Sequence, residues 1–344
     1  MFIINNNNNN KQRKNMNNFK KIGMTALAAS LVSTSVFAGE LAVSGSAGIN
    51  FENYSGVAKN STKAFSMGNQ ITFSGSGELD NGLNVSLSFV IDEGDNVDAS
   101  SAVTSSIFDA HSVTVSSDAL GSLTFHGEGG DSAQAAVGDT AAGNICDNFD
   151  GKDGTTVRQS RSGDDIFHYT LPSMVDGLTA AVSYTPAAGT DSSDSAYALT
   201  YTGIEGLSVS YGAGSNDGQA VGSGGSAANT DVTSMKASYA YGPVTIAYSD
   251  HESDSNTATS DQDATSFKLS YTISDALSVS YAEEEIDSNG AAETSDAEYS
   301  KIVASYTSGG MTISANYQEA DNVDYTTSTA ADWEYTGVSL SFAF

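Results

Sequence analysis

One pattern limits the folds open to this chain: apolar and polar side chains alternate residue by residue, in one segment after another. In the first such segment the apolar positions are Leu41, Val43, Ala47, Ile49 and Phe51, and the positions between them are mostly polar. A period of two is that of a β-strand, whose successive side chains point to opposite faces. After residue 39 no apolar run approaches the about 20 residues that a membrane-spanning helix needs. The pattern therefore predicts an all-β fold.

About sixteen alternating segments succeed one another along the chain. They lie near 40–52, 66–79, 83–92, 107–117, 120–126, 165–172, 177–185, 195–203, 206–213, 231–241, 243–251, 264–273, 276–284, 297–307, 310–319 and 333–344. The connections alternate in length, since tight turns such as Asp80-Asn81-Gly82 are followed by long, acidic, Gly- and Ser-rich stretches such as Ser215 to Thr230. Short turns at one end and long loops at the other are typical of transmembrane barrels.

The chemistry of the two strand faces favours the same architecture. One face of each segment is apolar and the other is rich in Ser, Thr and Asn, which suits a wall with lipid outside and water inside. We therefore predict a transmembrane antiparallel β-barrel of about 16 strands.

Tyrosines recur late in the segments, which predicts two tyrosine rows, one at each membrane interface. Outward-running segments end near Tyr184, Tyr211, Tyr248, Tyr281 and Tyr317, and returning ones near Tyr201, Tyr239, Tyr271 and Tyr306.

The first 38 residues are predicted to be removed. Residues 1–15 are low-complexity and basic, and Met16 is an alternative start. Lys20 and Lys21, the apolar run 22–36 and Val36-Phe37-Ala38 form a secretory signal pattern, which leaves 39–344 as the mature barrel. Five of the 13 basic residues lie in that segment, so eight remain against 42 acidic residues, a formal charge of −34. This charge excludes nucleic acid as a partner, and a single cysteine, Cys146, excludes an intrachain disulfide.

A segment of thirty-nine residues, 127–165, interrupts the alternation between the fifth and sixth predicted strands. An insert of this length without a strand or helix period is usually functional or disordered. We interpret it as a loop folded into the bore, where it sets the width and the charge of a channel.

Three features resemble Gram-negative outer-membrane general diffusion porins, most closely the acidic, glycine-rich porins of alphaproteobacteria. The final segment alternates Val338, Leu340, Phe342 and Phe344; RQSRSGDDIFHYTLPSMVDGL comes at the end of the insert; and the insert has the position of the porin constriction loop. The resemblance covers about residues 40–344. It implies passive diffusion of small hydrophilic solutes and ions, outer-membrane lipid and lipopolysaccharide as surroundings, a homotrimer, no enzymatic activity and no cofactor.

The resemblance also assigns candidate pore residues. The insert supplies the acids and the arginines of the constriction: Glu128, Asp131, Asp139, Asp147, Asp150, Asp153, Arg158 and Arg161. The lumen wall supplies His126, His168, Lys236, Lys268 and Lys301, placed inward by the alternation. With the net charge, this set predicts a preference for cations.

Other functions have weaker signals. No nucleophile elbow or metal-spaced His/Glu pair accompanies the four histidines, which argues against an enzyme. The stretch DNFDGKDG resembles a calcium loop, although Lys152 stands where an acid is expected, so opportunistic Ca²⁺ binding at Asp147, Asp150 and Asp153 stays open. An exported calcium-binding β-protein or adhesin is one alternative. A solute-specific channel is another, and it would need lumenal aromatics where the inward faces read mostly Ser, Thr and Asn.

Tyrosine is nearly absent from the first five segments: of sixteen tyrosines, only Tyr54 precedes residue 166. These segments nevertheless keep an apolar face, with residues such as Phe73 and Phe89. A wall against lipid favours amphipathic aromatics at its edges, whereas a wall against protein needs packing surface. We expect a trimer that packs through strands one to five.

Overall fold

The computed structural model describes residues 41–56, 63–92, 108–149, 156–188, 192–217, 229–256, 261–288, 295–323, 325, 327 and 332–344. The predicted signal segment 1–38 lies outside these residues. Sixteen strands are present: β1 (Leu41–Gly56), β2 (Lys63–Glu78), β3 (Asn84–Asp92), β4 (Ala110–Ser117), β5 (Gly121–Glu128), β6 (Ile166–Thr170), β7 (Leu178–Thr185), β8 (Asp194–Tyr201), β9 (Leu207–Asn216), β10 (Thr230–Tyr241), β11 (Val244–Ser255), β12 (Gln262–Ser274), β13 (Leu277–Ser288), β14 (Ala297–Ser308), β15 (Met311–Asp321) and β16 (Trp333–Ala343).

The strands form one closed antiparallel barrel. Each strand pairs with its neighbours in the chain, and β16 returns to pair with β1. That last ladder runs from Ser46 opposite Ala343 to Gly56 opposite Trp333. It ends in a reciprocal pair of backbone hydrogen bonds between Gly45 and Phe344, at 2.8 and 2.9 Å. The predicted all-β barrel of about 16 strands is confirmed.

Short turns join the strands at one end of the barrel. Three of the described turns have only two residues, and in one of them, Gly242-Pro243 between β10 and β11, Gly242 has a φ of +56°, a left-handed conformation that glycine adopts without strain. The helices of the described residues are two 3₁₀ turns in the insert, Ala135–Val137 and Ile145–Phe149. No helix in the described part of the chain is both long and apolar enough to cross a membrane.

The two tyrosine rows lie closer together than expected. Tyr239 stands opposite Ile246, and Tyr248 is only two residues further along β11. Tyr306 stands opposite Ile313, four residues from Tyr317. The rows are therefore separated by about 7 to 13 Å of strand, whereas the apolar band of such a barrel is about 25 Å tall. Exposed apolar residues, Tyr241 and Ile273, continue past the lower row towards the turns. The expectation of one row at each membrane interface is wrong for these strands.

The upper row marks the border of the apolar band. Just beyond it the outward side chains become acidic, and the tyrosine hydroxyls donate to them: Tyr248 to Asp250 (3.3 Å), Tyr281 to Glu283 (2.6 Å) and Tyr317 to Glu319 (2.9 Å). On β11 the exposed acids at 250, 252 and 254 alternate with buried residues at 249, 251 and 253. On these strands the outer wall is therefore apolar on the turn side of this row and anionic on the loop side.

The interior of the barrel contains a hydrophobic core. Side chains of the insert pack there against inward residues of β12–β16, and Ile145, Cys146, Phe149 and Ile286 are fully buried. Inward positions of these strands include Tyr299, Trp333 and Tyr335. The inward faces of these strands thus include aromatic residues beside the Ser, Thr and Asn that the sequence predicted to be in the majority. The aromatics lie under the insert and do not form a ladder along open water.

Candidate functional site

The insert between β5 and β6 begins and ends at one point of the wall. Gly130 and Gly163 form an isolated antiparallel bridge, with N–H to O distances between them of 2.7 and 2.8 Å. Gly129 and Gly163 have φ values of +67° and +120°, which permit the chain to turn away from the ladder there. The segment from residue 131 to residue 162 is therefore a closed loop attached by a narrow base.

A track of inward serines holds the first half of the loop to the wall. Ala133 N–H donates to Ser183 Oγ on β7, Ala141 N–H to Ser249 Oγ on β11 and Ala142 N–H to Ser266 Oγ on β12, at 2.9 to 3.2 Å. Gln134 Nε2 donates to Ser234 Oγ on β10 at 3.3 Å. These contacts satisfy backbone donors that a buried loop could not otherwise pair. They make the loop follow the inner wall across several strands.

Further along the loop, at β13, a buried carboxylate fixes the loop to the wall. Glu284 on β13 is 2% exposed, and it accepts hydrogen bonds from Thr140 Oγ1 (2.5 Å) and from Cys146 N–H (3.0 Å). Burial, and then the nearby Glu284 charge, raise the pKa of the Cys146 thiol, so that thiol stays protonated. Cys146 is therefore a packing residue and not a reactive one.

The tip of the described loop is apolar. The Phe149 ring lies 5.9 Å from Tyr299 and 6.3 Å from Trp333, measured between ring centroids. Next to it, Asn148 Nδ2 donates to Gln318 Oε1 on β15 at 3.0 Å. The burial of Phe149 in this pocket stabilises the docked loop by roughly 1.5–3 kcal/mol.

The returning half of the loop crosses back over the same wall. Arg158 N–H donates to Gln262 Oε1 on β12 (3.0 Å), and Arg161 N–H donates to Ser215 O on β9 (3.1 Å). The Arg161 guanidinium pairs with Asp194 on β8, with Nη1 3.3 Å from Oδ2, and both side chains are largely buried. The expected constriction residue Arg161 is thus an ion-paired anchor of the loop.

The predicted wall lysines lie on the inner face close to the loop. Lys236 Nζ donates to the backbone carbonyl of Asp139 at 2.9 Å. Lys268 and Lys301 both stand opposite Ala282, one on each side of β13. Glu284 and Asp147 are the acidic groups that act on Lys301. The bases therefore lie beside the acids of the insert on the same side of the bore, and not across the channel from them.

Glu128 does not take its expected place over the bore. A bulge between His111 and Ser112 shifts the β4–β5 register, so Glu128 stands opposite His111. His111 is also paired with Phe89, whose side chain belongs to the outer face, and His111 Nδ1 lies 3.7 Å from Glu128 Oε2. Because directly opposed residues share a face, the carboxylate belongs to the outer side of the wall.

The remaining candidates divide into two groups. His126, His168 and Asp131 come together at the base of the loop, where His168 Nδ1 lies 3.2 Å from Asp131 O. Asp150 and Asp153 of the calcium-loop-like stretch, where opportunistic Ca²⁺ binding was left open, lie outside the described residues, whereas Asp147 is in a 3₁₀ turn. Within the described ranges no group of three or more His, Cys, Asp or Glu side chains is placed to hold a metal ion.

The sequence analysis missed the residues that hold the loop: the serine track, Glu284, Gln262 and Gln318. Alternation places each of them on the inner face, and that signal was available. The alternation does not show which inward residue contacts the insert, because the two partners lie far apart in the chain. Cys146 and Glu284, for example, are separated by 138 residues. An inward Glu between outward neighbours in Tyr281-Ala-Glu-Glu-Glu was the clearest sign of an anchor.

A closed barrel with a long loop fastened inside its bore defines a channel of the porin class, and solved structures share this fold. The anion-selective porin from Comamonas acidovorans has a TM-score of 0.66 at 15% identity, with 89% of this chain and 100% of that chain covered. Salmonella typhi OmpF gives 0.66 at 17%, covering 89% and 98%. A mutant of the Rh. blastica porin gives 0.58 at 16%, covering 89% and 100%.

A profile of the Gram-negative porin family matches residues 23–344, so the chain belongs to that family. A search among curated proteins found no match.

Proposed function

We propose that the protein is a general diffusion channel of the outer membrane, through which small hydrophilic solutes and ions pass passively. The observation that carries this proposal is the path of the insert, which bonds to inward side chains of β7, β10, β11, β12, β13 and β15 and so occupies part of the bore. A loop fixed at this many points acts as a rigid size filter. The protein acts without catalysis, and its surroundings are outer-membrane lipid and lipopolysaccharide.

We further propose that the channel prefers cations. The mature chain carries 42 acidic and eight basic residues. Two of the few lumenal bases are already engaged, since Arg161 pairs with Asp194 and Lys236 binds a loop carbonyl. The acids of the insert, together with the acidic external loops, should therefore dominate the field in the bore. One structural neighbour is an anion-selective porin, so the fold is compatible with either preference.

The reversal potential of purified protein in a planar bilayer tests this proposal. A tenfold KCl gradient should give a potential of the sign that K⁺ permeation produces. The preference should fall as the salt rises from 0.1 M to 1 M, because the Debye length shrinks from about 10 Å to about 3 Å. A potential of the opposite sign would reject cation preference, and the absence of conductance would reject the channel itself.

A homotrimer is part of the same proposal. The first five strands expose apolar residues such as Leu87 and Val115 without tyrosines beside them. On the same outer face the ionisable pair His111 and Glu128 lies close to Phe89 and Phe108. An apolar outer face without amphipathic aromatics at its edges favours a protein neighbour on this face. We also propose that the chain is exported through a signal peptide that is cleaved after Ala38.

A further inference from the structure

Two histidines meet on the inner wall at the base of the insert, although they are 42 residues apart in the sequence. His168 on β6 stands opposite Thr124 on β5, and His126 stands opposite Ile166. The two histidines are therefore diagonal cross-strand neighbours on one face, about 7–8 Å apart at the backbone and within reach of each other through their rings. Leu123 and Phe167, on the opposite face of these two strands, are exposed apolar residues, so the face that carries Thr124 and both histidines is the inner one.

The surroundings orient both rings. His168 Nδ1 lies 3.2 Å from the carbonyl oxygen of Asp131, a contact that restrains the ring and leaves Nε2 as the nitrogen that can bind a ligand. A histidine that ligates a metal commonly donates its other ring nitrogen to a carbonyl in this way. His126 makes no hydrogen bond to the described residues, and the backbone of Gly130 packs against it so closely that a Cβ there would lie 2.5 Å from His126 Cβ.

Charge at this point favours a cation. His168 and the Asp131 carboxylate are the charged and titratable groups that act on His126. Asp131 is exposed, and the bore of this strongly acidic chain concentrates cations. Both imidazoles are only partly buried, so an ion entering the bore can reach them.

We propose that His126 and His168 form a two-histidine site for a borderline transition-metal dication such as Zn²⁺, with water completing its coordination and the nearby Asp131 carboxylate adding only electrostatic attraction. Neutral imidazole is a preferred ligand for zinc, copper and nickel, whereas Mg²⁺ and Ca²⁺ select oxygen. Zinc bound here adds two positive charges where the loop leaves the wall. It should therefore reduce cation current through the channel.

Calorimetry with the tag-free, EDTA-washed, folded barrel tests the site. At pH 7.5 ZnCl₂ should bind once per chain, and MgCl₂ should give no comparable heat. His126→Gln and His168→Gln should each weaken zinc binding by about tenfold or more, and Asp131→Asn by less. Binding should be lost at pH 5, because the imidazoles must be deprotonated to bind metal. Circular dichroism of each variant establishes that the barrel has formed.

His111→Gln is the matched control, since His111 stands beside a carboxylate on the outer face. It should bind zinc at the inner site with wild-type affinity. The site would be overturned if the wild type did not bind zinc, or if His126→Gln and His168→Gln bound it as tightly as the wild type. His168 would then be only a structural anchor of the loop.

A bilayer recording tests the consequence for the channel, and only this part depends on the proposed function. Zinc should lower the unitary current of the wild type and of His111→Gln, and EDTA should restore it. The currents of His126→Gln and His168→Gln should respond only at concentrations about tenfold higher or more. Binding without any change of current would uphold the site and reject its effect on conduction.

Discussion

At the scale of single residues, Glu284 is the wall carboxylate that holds the insert in the bore. One buried carboxylate on β13 accepts from a hydroxyl and from a backbone amide of the insert. Its chain neighbours, Glu283 and Glu285, point outward and are exposed. The strand period thus assigns three consecutive glutamates to two different environments.

Glu284→Ala should loosen the loop. The substitution leaves two buried donors without an acceptor, at roughly 1–3 kcal/mol each. Glu284→Gln keeps one acceptor oxygen and should have a smaller effect. Both should raise the noise of the open channel and the rate at which a protease cleaves the insert of the folded barrel, with the alanine variant showing the larger increase.

Glu283→Gln is the control for this pair of variants, because Glu283 lies on the outer face and, within the described residues, accepts a hydrogen bond from Tyr281 alone. It should leave noise and cleavage unchanged. Equal noise in Glu284→Ala and Glu283→Gln would show that the carboxylate does not hold the loop.

Glu128 shows why the sequence alone can assign a side chain to the wrong face of the barrel wall. The strict alternation of β5 continues to Phe125 and His126 and would put Glu128 inside. A single bulge opposite His111 adds one residue and reverses the facing of the residues after it. Bulges depend on the partner strand, so the sequence of β5 alone could not show it.

At the scale of elements, the insert and the wall are separable. The β5–β6 ladder, for example Leu123 opposite Tyr169, involves wall residues only. The loop leaves the wall at the Gly130–Gly163 bridge, where the two backbones are already paired. A two-residue hairpin turn fits a pair of this kind.

Replacement of residues 131–162 by Asn-Gly should therefore leave a closed barrel with a wider bore. Its unitary conductance should rise severalfold. The single tryptophan, Trp333, reports the change independently, because it is 3% exposed under Phe149 and its fluorescence should shift to the red when water reaches it. A red shift with unchanged conductance would place the size filter elsewhere.

The elements themselves were largely predictable. All sixteen strands and the position of the insert can be derived from the period of two and from the turn residues. The docking of the insert could not, because it depends on contacts such as Phe149 with Trp333 that no local period encodes. The tyrosine rows were misjudged for a related reason: their separation depends on register, and Tyr239 meets Ile246 only once β10 and β11 are paired.

At the scale of the whole molecule, the outer wall has two kinds of surface. Strands β7–β15 carry the exposed tyrosines and, beyond them, the acidic positions. Strands β1–β5 carry apolar residues and the His111–Glu128 pair. We expect the second surface to be covered by a neighbouring copy.

The double substitution Phe73→Asp and Phe89→Asp should yield folded monomers, since these residues are paired on the outer face of β2 and β3. Phe267→Asp with Leu269→Asp, on exposed positions of β12, is the matched control and should stay trimeric. Analytical ultracentrifugation in detergent measures both. A wild-type monomer, or dissociation by the β12 pair alone, would contradict the proposed interface.

The seam between β1 and β16 has a consequence for the time course of folding. Its contacts join distant parts of the chain, such as Ser55 and Glu334, 279 positions apart. All other ladders join strands that are neighbours in sequence and can form locally. Closing a long chain is entropically slow, so the seam should be the last ladder to form. Gly45 and Phe344 then complete a cylinder whose two edge strands, until that moment, expose unpaired backbone.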